Sequence, residues 1–186
     1  MEGKLPEIGR ESVVKLLKTI DNLEMPTREI DKPFLMPVEH VYSITGRGTV
    51  VTGRLERGVI KKSTECEVLG YGRQVKTMIT SIEMFKKSLD EAQAGDNLGA
   101  LLRGTKKDQV RRGMVLGKPG TFKPCDQVEA QIYMLKKEEG GSGKPMITGV
   151  RNIMYCWTWD CISELEVLGK DMMLPGEDST VKLTVS

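Results

Sequence analysis

At 186 residues, 39% hydrophobic and 29% charged, the chain has the composition of an ordinary folded protein with room for one domain or two small ones. Lysine and arginine number 28 against 26 acidic residues, so a net charge of +2 gives no global field to recruit nucleic acid, and a polyanion would have to be held by a local group of side chains. Apolar runs are only a few residues long, far short of the ~20 that cross a bilayer, so no membrane helix and no membrane partner are expected.

The amino terminus, Met1-Glu2-Gly3-Lys4, has neither an apolar signal core nor the Arg-rich character of an import presequence, which leaves a processed chain or a fragment as the expectation. Val13, Leu16, Leu17, Ile20 and Leu23 recur at three- and four-residue steps and predict one amphipathic helix over residues 11–24, with Ser12 as a cap. Its apolar stripe should pack on something. Pro26, Pro33 and Pro37 then break helix and predict an extended linker.

From Phe34 the helical period gives way to short β-type runs. Strands are predicted at 34–43, 48–54, 65–69, 74–82, 97–102 and 113–117, with Gly70-Tyr71-Gly72 closing a hairpin. The densest pattern is Gly46 to Gly58, in which the β-branched Thr49, Val50, Val51 and Thr52 form a strand punctuated by glycines at 46, 48, 53 and 58. Six short strands without βαβ alternation favour a small closed barrel. After Pro124 a second β set follows at 127–135, 152–161, 164–168 and 180–185. Ile153, Tyr155, Trp157, Trp159 and Cys161 share one parity, which predicts a half-buried strand with both tryptophans inside. The alternation Val181, Leu183, Val185 still runs at Ser186, so the second barrel is expected to be incomplete.

The residues alone specify no enzyme. Gly3-Lys4, Gly117-Lys118, Gly143-Lys144 and Gly169-Lys170 all lack the Ser or Thr that a phosphate loop needs next. Gly140-Gly141-Ser142-Gly143 opens onto Lys144-Pro145 and reads as a hairpin loop. His40 is the sole histidine and has no nucleophile elbow to serve. Cys66, Cys125, Cys156 and Cys161 show no Cys-x-x-Cys spacing, against a zinc site or a disulfide framework and in favour of a reducing compartment.

Several stretches taken together strongly resemble elongation factor Tu: Lys32-Pro33-Phe34-Leu35-Met36-Pro37-Val38-Glu39, Gly46-Arg47-Gly48-Thr49-Val50-Val51-Thr52-Gly53, Leu55-Glu56-Arg57-Gly58, Glu83-Met84-Phe85 and Ala94-Gly95-Asp96-Asn97. Leu101-Leu102-Arg103-Gly104, Lys118-Pro119-Gly120 and Met172-Met173-Leu174-Pro175-Gly176 continue the resemblance in order. Tyr42, Glu65-Cys66-Glu67, Lys137-Glu138-Glu139 and Trp157-Thr158-Trp159-Asp160 look closer to animal mitochondrial members than to bacterial ones. The resemblance implies a mainly β chain: residues 1–32 as the last helix of a GTPase domain plus linker, 33–121 as a complete antiparallel barrel, and 122–186 as a second, truncated one.

The same resemblance implies a carrier that delivers aminoacyl-tRNA to the ribosomal A site in the mitochondrial matrix and works with the nucleotide-exchange factor Ts. GTP and magnesium belong to the whole family protein, whose nucleotide-binding domain is absent here, so no catalysis is expected of this chain alone. Glu83 matches the carboxylate that accepts the terminal ribose hydroxyl, Asn97 the residue beside the aminoacyl group, Glu39, Tyr42 and Thr52 the wall of the amino-acid pocket, and Arg47 and Lys86 its basic border. The residue types suit this, since a carboxylate accepts from a hydroxyl and a carboxamide both donates and accepts. There are two departures: His40 stands where bacterial relatives carry an acid, and Gly140 to Pro145 lacks the Arg and His of the family's Gly-Gly-Arg-His-x-Pro. Two other readings stay open at this point, a protein-interaction or structural barrel and the barrel part of another translational-GTPase-like enzyme.

Overall fold

The structure, a computed structural model, describes residues 8–185; Met1 to Glu7 and Ser186 lie outside the described residues, and with them the terminal Gly3-Lys4 pair and the start of the predicted 1–32 segment. Helix α1 (Arg10–Asp21) starts from Gly9 rather than from Ser12, whose hydroxyl donates instead to the Gly9 carbonyl. The stripe expected to pack is not covered: α1 has no buried residue, and Leu16 is 58% exposed. No helix among the described residues is long and apolar enough to cross a membrane.

The linker after α1 is held at its far end. Arg28 pairs with Asp96 at 3.1 Å, and the Gly58 N–H donates to the Glu29 carbonyl. Strands β1 (Leu35–Pro37), β2 (His40–Ile44), β3 (Gly48–Arg54), β4 (Val59–Lys61), β5 (Thr64–Gly70), β6 (Arg73–Met84), β7 (Lys87–Leu89), β8 (Glu91–Gln93), β9 (Asn97–Leu102) and β10 (Val115–Gly117) follow. The main sheet runs β1-β10-β5-β6-β9-β3-β2, with β7 paired to β6, and β4 and β8 form a separate ribbon. The single strand expected over 34–43 is two strands of one continuous segment, bent at Val38 and Glu39. That bend is what curls the sheet. β1 pairs with β10 at one end of the path, and β2 pairs with β3 at the other.

Alternation decides what faces inward. On β9, Leu98, Ala100 and Leu102 are buried while Asn97, Gly99 and Leu101 face out. The core so formed takes in Met36, Val51, Ile60, Val68, Ile79, Ile82, Leu102 and Leu116. Each such side chain contributes about 1.5–3 kcal/mol by leaving water.

Cys66 lies in this core, and burial pushes its thiol from the ordinary value of 9.0 up to about 12. The fold therefore keeps the neutral thiol, whereas the unfolded chain ionises it above about pH 9. Stability present below that pH is lost as pH rises toward 12, at up to about 1.4 kcal/mol per pH unit. Urea melts between pH 8 and 10.5 are expected to show this decline, with a shallower one in Cys66→Ala. Equal slopes would mean that the thiol is not the titrating group.

The passage to the second sheet is clamped by a buried acid. Glu67 is fully buried, and its carboxylate accepts from the Gly120 N–H at 2.8 Å and from the Gln74 carboxamide at 2.7 Å. Beyond it, Phe122 packs where Gly117 leaves room, under the guanidinium of Arg57.

The second sheet joins β11 (Gln127–Tyr133), β13 (Val150–Cys156), β14 (Trp159–Val167) and β16 (Asp178–Val185) in the order β11-β16-β14-β13; β12 (Met146–Ile147) and β15 (Met172–Met173) form a small ribbon beside it. All pairings are antiparallel, and a second core gathers Met134, Leu165, Val167, Met173, Val181 and Leu183. The mainly β, antiparallel architecture with one helix and a linker ahead of it is therefore as expected.

One strand assignment is overturned. The stretch 152–161 is not a single strand but the tip of a hairpin, with Cys156 paired to Trp159 and Trp157-Thr158 making the turn. Trp157 is thus 58% exposed rather than interior. The alternating parity misled because a two-residue turn inverts it: Tyr155 pairs with Asp160 and Met154 with Cys161, so Ile153 and Tyr155 lie on the exposed face and Trp159 and Cys161 on the other.

Candidate functional site

Two rows of residues cross the outer face of the first sheet. One row is His40-Thr52-Gly99-Glu83 and the next is Tyr42-Val50-Leu101-Ser81, each read across β2, β3, β9 and β6 by direct register. Gly99 makes the floor. A Cβ there would meet Val50 Cγ1 at 3.3 Å and Thr52 Cγ2 at 3.7 Å, so the absence of a side chain leaves a depression between Thr52 and Glu83. The result is an open cavity of about 610 Å³ that Tyr42, Arg47, Thr52, Glu83 and Lys86 share as lining.

The ends of the cavity are set by two hairpin turns. Residues 45–47 join β2 to β3, with Gly46 at φ 75° and the Arg47 N–H donating to the Ile44 carbonyl, and so carry Arg47 to one end. Phe85-Lys86 joins β6 to β7 and carries Lys86 to the other. Both of its residues have positive φ, 49° and 64°, a two-residue turn that Asn-Gly would suit better. Phe85 is also 86% exposed, so burial does not offset the strain. Replacing Phe85-Lys86 by Asn-Gly is expected to raise stability by about 1 kcal/mol in urea melts while weakening whatever the cavity holds through Lys86. A loss of stability would show that the Phe85 ring is in use within the fold.

Thr80 donates its hydroxyl to the Leu101 carbonyl, but the charged groups of the cavity are uncommitted. Among the described residues the side chains of Arg47, Thr52, Glu83 and Lys86 have no hydrogen-bond or ion-pair partner. Tyr42 stacks on His40 with ring centroids 6.1 Å apart and planes at 22°. His40 itself is exposed and lines neither this cavity nor the next.

Two of the seven expected site residues lie elsewhere. Glu39 and Asn97 line a smaller cleft of about 250 Å³, together with Arg54, Glu56, Trp157 and Thr158. The two hollows adjoin, because Asn97 and Gly99 are alternate residues on the outer face of β9, about 7 Å apart. The sequence reading missed Thr80, Ser81, Gly99 and Leu101. The last two follow from strand parity, whereas Thr80 and Ser81 both reach the cavity only because a bulge between Ile79 and Ser81 shifts the register of β6.

None of the described Gly-Lys pairs forms a phosphate loop. Gly117 ends β10, Gly143 lies in the loop before β12 and Gly169 in the turn after β14, and none of these Gly-Lys pairs opens an α-helix. No group of three or more His, Cys, Asp or Glu residues among the described residues is placed to hold a metal ion.

The family comparison agrees with this geometry. Residues 48–117 match the family model for elongation factor Tu domain 2, and residues 121–186 match the one for the elongation factor Tu C-terminal domain. The chain carries the elongation factor Tu domain pair. It is a β-barrel module of the translation elongation factor type, and at the level of the family such domains go with aminoacyl-tRNA and the ribosome. Most of the cavity lining, on β3, β6 and β9, falls within the domain 2 match, with Tyr42 and Ile44 of β2 and the turn residue Arg47 just ahead of it, whereas Trp157 and Thr158 fall within the C-terminal domain match.

Proposed function

We propose that the outer face of domain 2 binds the aminoacylated 3′ end of tRNA for GTP-dependent delivery to the ribosomal A site. The observation that carries this reading is the row Thr52-Gly99-Glu83, which sets an unpartnered carboxylate beside a glycine-floored hollow. Glu83 accepts from a ribose hydroxyl, and Arg47 and Lys86 offset the phosphate charge at the two ends. Thr52 and Tyr42 form a half-apolar wall for the sugar and base. The adjoining cleft with Glu39 and Asn97 then lies where the ester continues from the ribose. None of these groups reads base sequence, which suits a carrier of many tRNAs.

The mitochondrial assignment, with the matrix as location, rests on Tyr42, Glu65-Cys66-Glu67, Lys137-Glu138-Glu139 and Trp157-Thr158-Trp159-Asp160. GTP hydrolysis and its magnesium belong in this proposal to a nucleotide-binding domain, and the exchange factor Ts to contacts with that domain and the C-terminal one. The direct test is protection of the aminoacyl ester from spontaneous hydrolysis by protein that melts cooperatively. Protection relieved by charged but not by uncharged tRNA supports the reading. Absence of protection by the folded chain counts against it.

A further inference from the structure

The β13–β14 hairpin carries a cluster of side chains that the tRNA reading leaves unused. Met154 stands directly opposite Cys161, and Cys156 opposite Trp159, so two thiols, a thioether and an indole are neighbours. Alternation puts all four on one face: Met154, Cys156, Trp159 and Cys161 are half-buried, whereas Ile153, Tyr155, Asp160 and Ile162 are exposed. This face continues into the second core, against which Met154 packs, so its thioether is held at the rim. At the other side Trp159 abuts domain 2, its Cβ lying 2.9 Å from where a Cβ on Gly113 would stand. Both thiols are free, and half-burial leaves them within reach of an ion from solvent. Burial first, then the charges of Asp160 and Cys156, holds the Cys161 thiol above its ordinary 9.0, a sign that the two sulfurs lie near each other.

Distance decides how such sulfurs can be joined. Cys156 and Cys161 are diagonal rather than direct partners, and diagonal neighbours in an antiparallel pair lie about 7–8 Å apart at Cα. A disulfide needs Cα atoms within about 6.8 Å, so closing one would displace the backbone. An ion bound at about 2.3 Å from each sulfur spans about 4.6 Å between them and asks for no such shift. Ligand softness then names the ion. On these two strands the same face carries no histidine and no carboxylate, and two thiolates with a thioether suit monovalent copper better than zinc, which takes four ligands in a closed site. We infer that Met154, Cys156 and Cys161 form a binding site for one Cu(I) ion, with the Trp159 indole as its apolar flank. Binding makes two thiolate–copper bonds and one thioether–copper bond and releases two thiol protons to solvent, with no change of oxidation state.

The test titrates the reduced full chain with Cu(I), without oxygen and against a colorimetric Cu(I) chelator. One ion per chain is expected, with quenching of tryptophan fluorescence through Trp159. Cys156→Ser and Cys161→Ser should each weaken binding on the order of 100-fold, and Met154→Leu about tenfold, because a neutral thioether holds the ion less strongly than a thiolate. Cys125→Ser removes the exposed thiol outside the hairpin and should change neither stoichiometry nor affinity. Melts without the ion distinguish a lost fold from a lost ligand. A further measurement needs no variant: Cu(I) should shield Cys156 and Cys161, but not Cys125, from alkylation by iodoacetamide, read by peptide mass. Binding that is absent from wild type, that survives at full strength in both serine variants, or that is lost with Cys125 overturns the inference, as does alkylation of the hairpin thiols unaffected by the ion.

Discussion

Glu83→Ala is expected to weaken binding of charged tRNA about 10- to 100-fold while leaving the melting temperature unchanged. The residue is exposed at the outer end of β6 and has no partner within the described residues, so its removal costs the fold nothing that the structure displays. A hydrogen bond to a charged acceptor is worth about 1.5–3 kcal/mol, which corresponds to this range. Glu83→Gln is the sharper comparison. It keeps an acceptor but loses the charge and should sit between the two. Filter binding with intact charged tRNA and with tRNA lacking the terminal adenosine separates the readings, since loss confined to the intact form is expected if Glu83 meets the terminal ribose. Unchanged affinity in the alanine variant would remove the central claim.

The second large effect concerns the fold. A Cβ at Gly53 would fall well inside contact distance of the Pro37 carbonyl oxygen and 3.2 Å from Met36 Cγ, in the place where β3 passes the bent segment that curls the sheet. Backbone cannot swing away there as a long side chain could, because Pro37 is held by pairing with Val115 and Glu39 by donating to the Thr52 carbonyl. Gly53→Ala is therefore expected to destabilise by about 3 kcal/mol or more. That should lower the melting temperature by more than about 10 °C for a barrel of this size. Gly72→Ala is the control for loss of glycine alone, since its Cβ would meet nothing within 4 Å although its φ of 69° still favours glycine. A Gly53 variant no less stable than this control would mean that the approach of β3 to Pro37 does not hold the barrel shut.

Strand β3 and strand β9 were legible in the sequence to the residue, because glycines bound the β-branched run at 48–54 and Asn97 to Leu102 alternates cleanly. The short strands β4, β7 and β8 were not. Three residues carry too little alternation to stand out, and β4 and β8 in addition find each other only across the intervening strands, with Val59 opposite Gln93. The helix was legible as an element, but its stripe is exposed, since periodicity reports what a face could bury and not what covers it. For the site, resemblance named seven residues, and the structure brings five of them into one hollow and puts Glu39 and Asn97 in the next. No spacing rule could place Trp157 near Asn97. That juxtaposition depends on how one domain lies against the other.

Leu35 and Gly117 are partners across β1 and β10, and the Lys118 N–H reaches back to the Phe34 carbonyl, so the chain leaves the first barrel beside the point where it enters. A pull applied through the linker before Phe34 and the chain beyond Lys118 thus meets the barrel at a single seam. The load opens bonds there one after another, as a zip does, instead of shearing whole strands past each other. Mechanically the barrel is a bead hung on a loop of string: its flanking parts can swing or strain against one another while the hollow on its outer face keeps its shape.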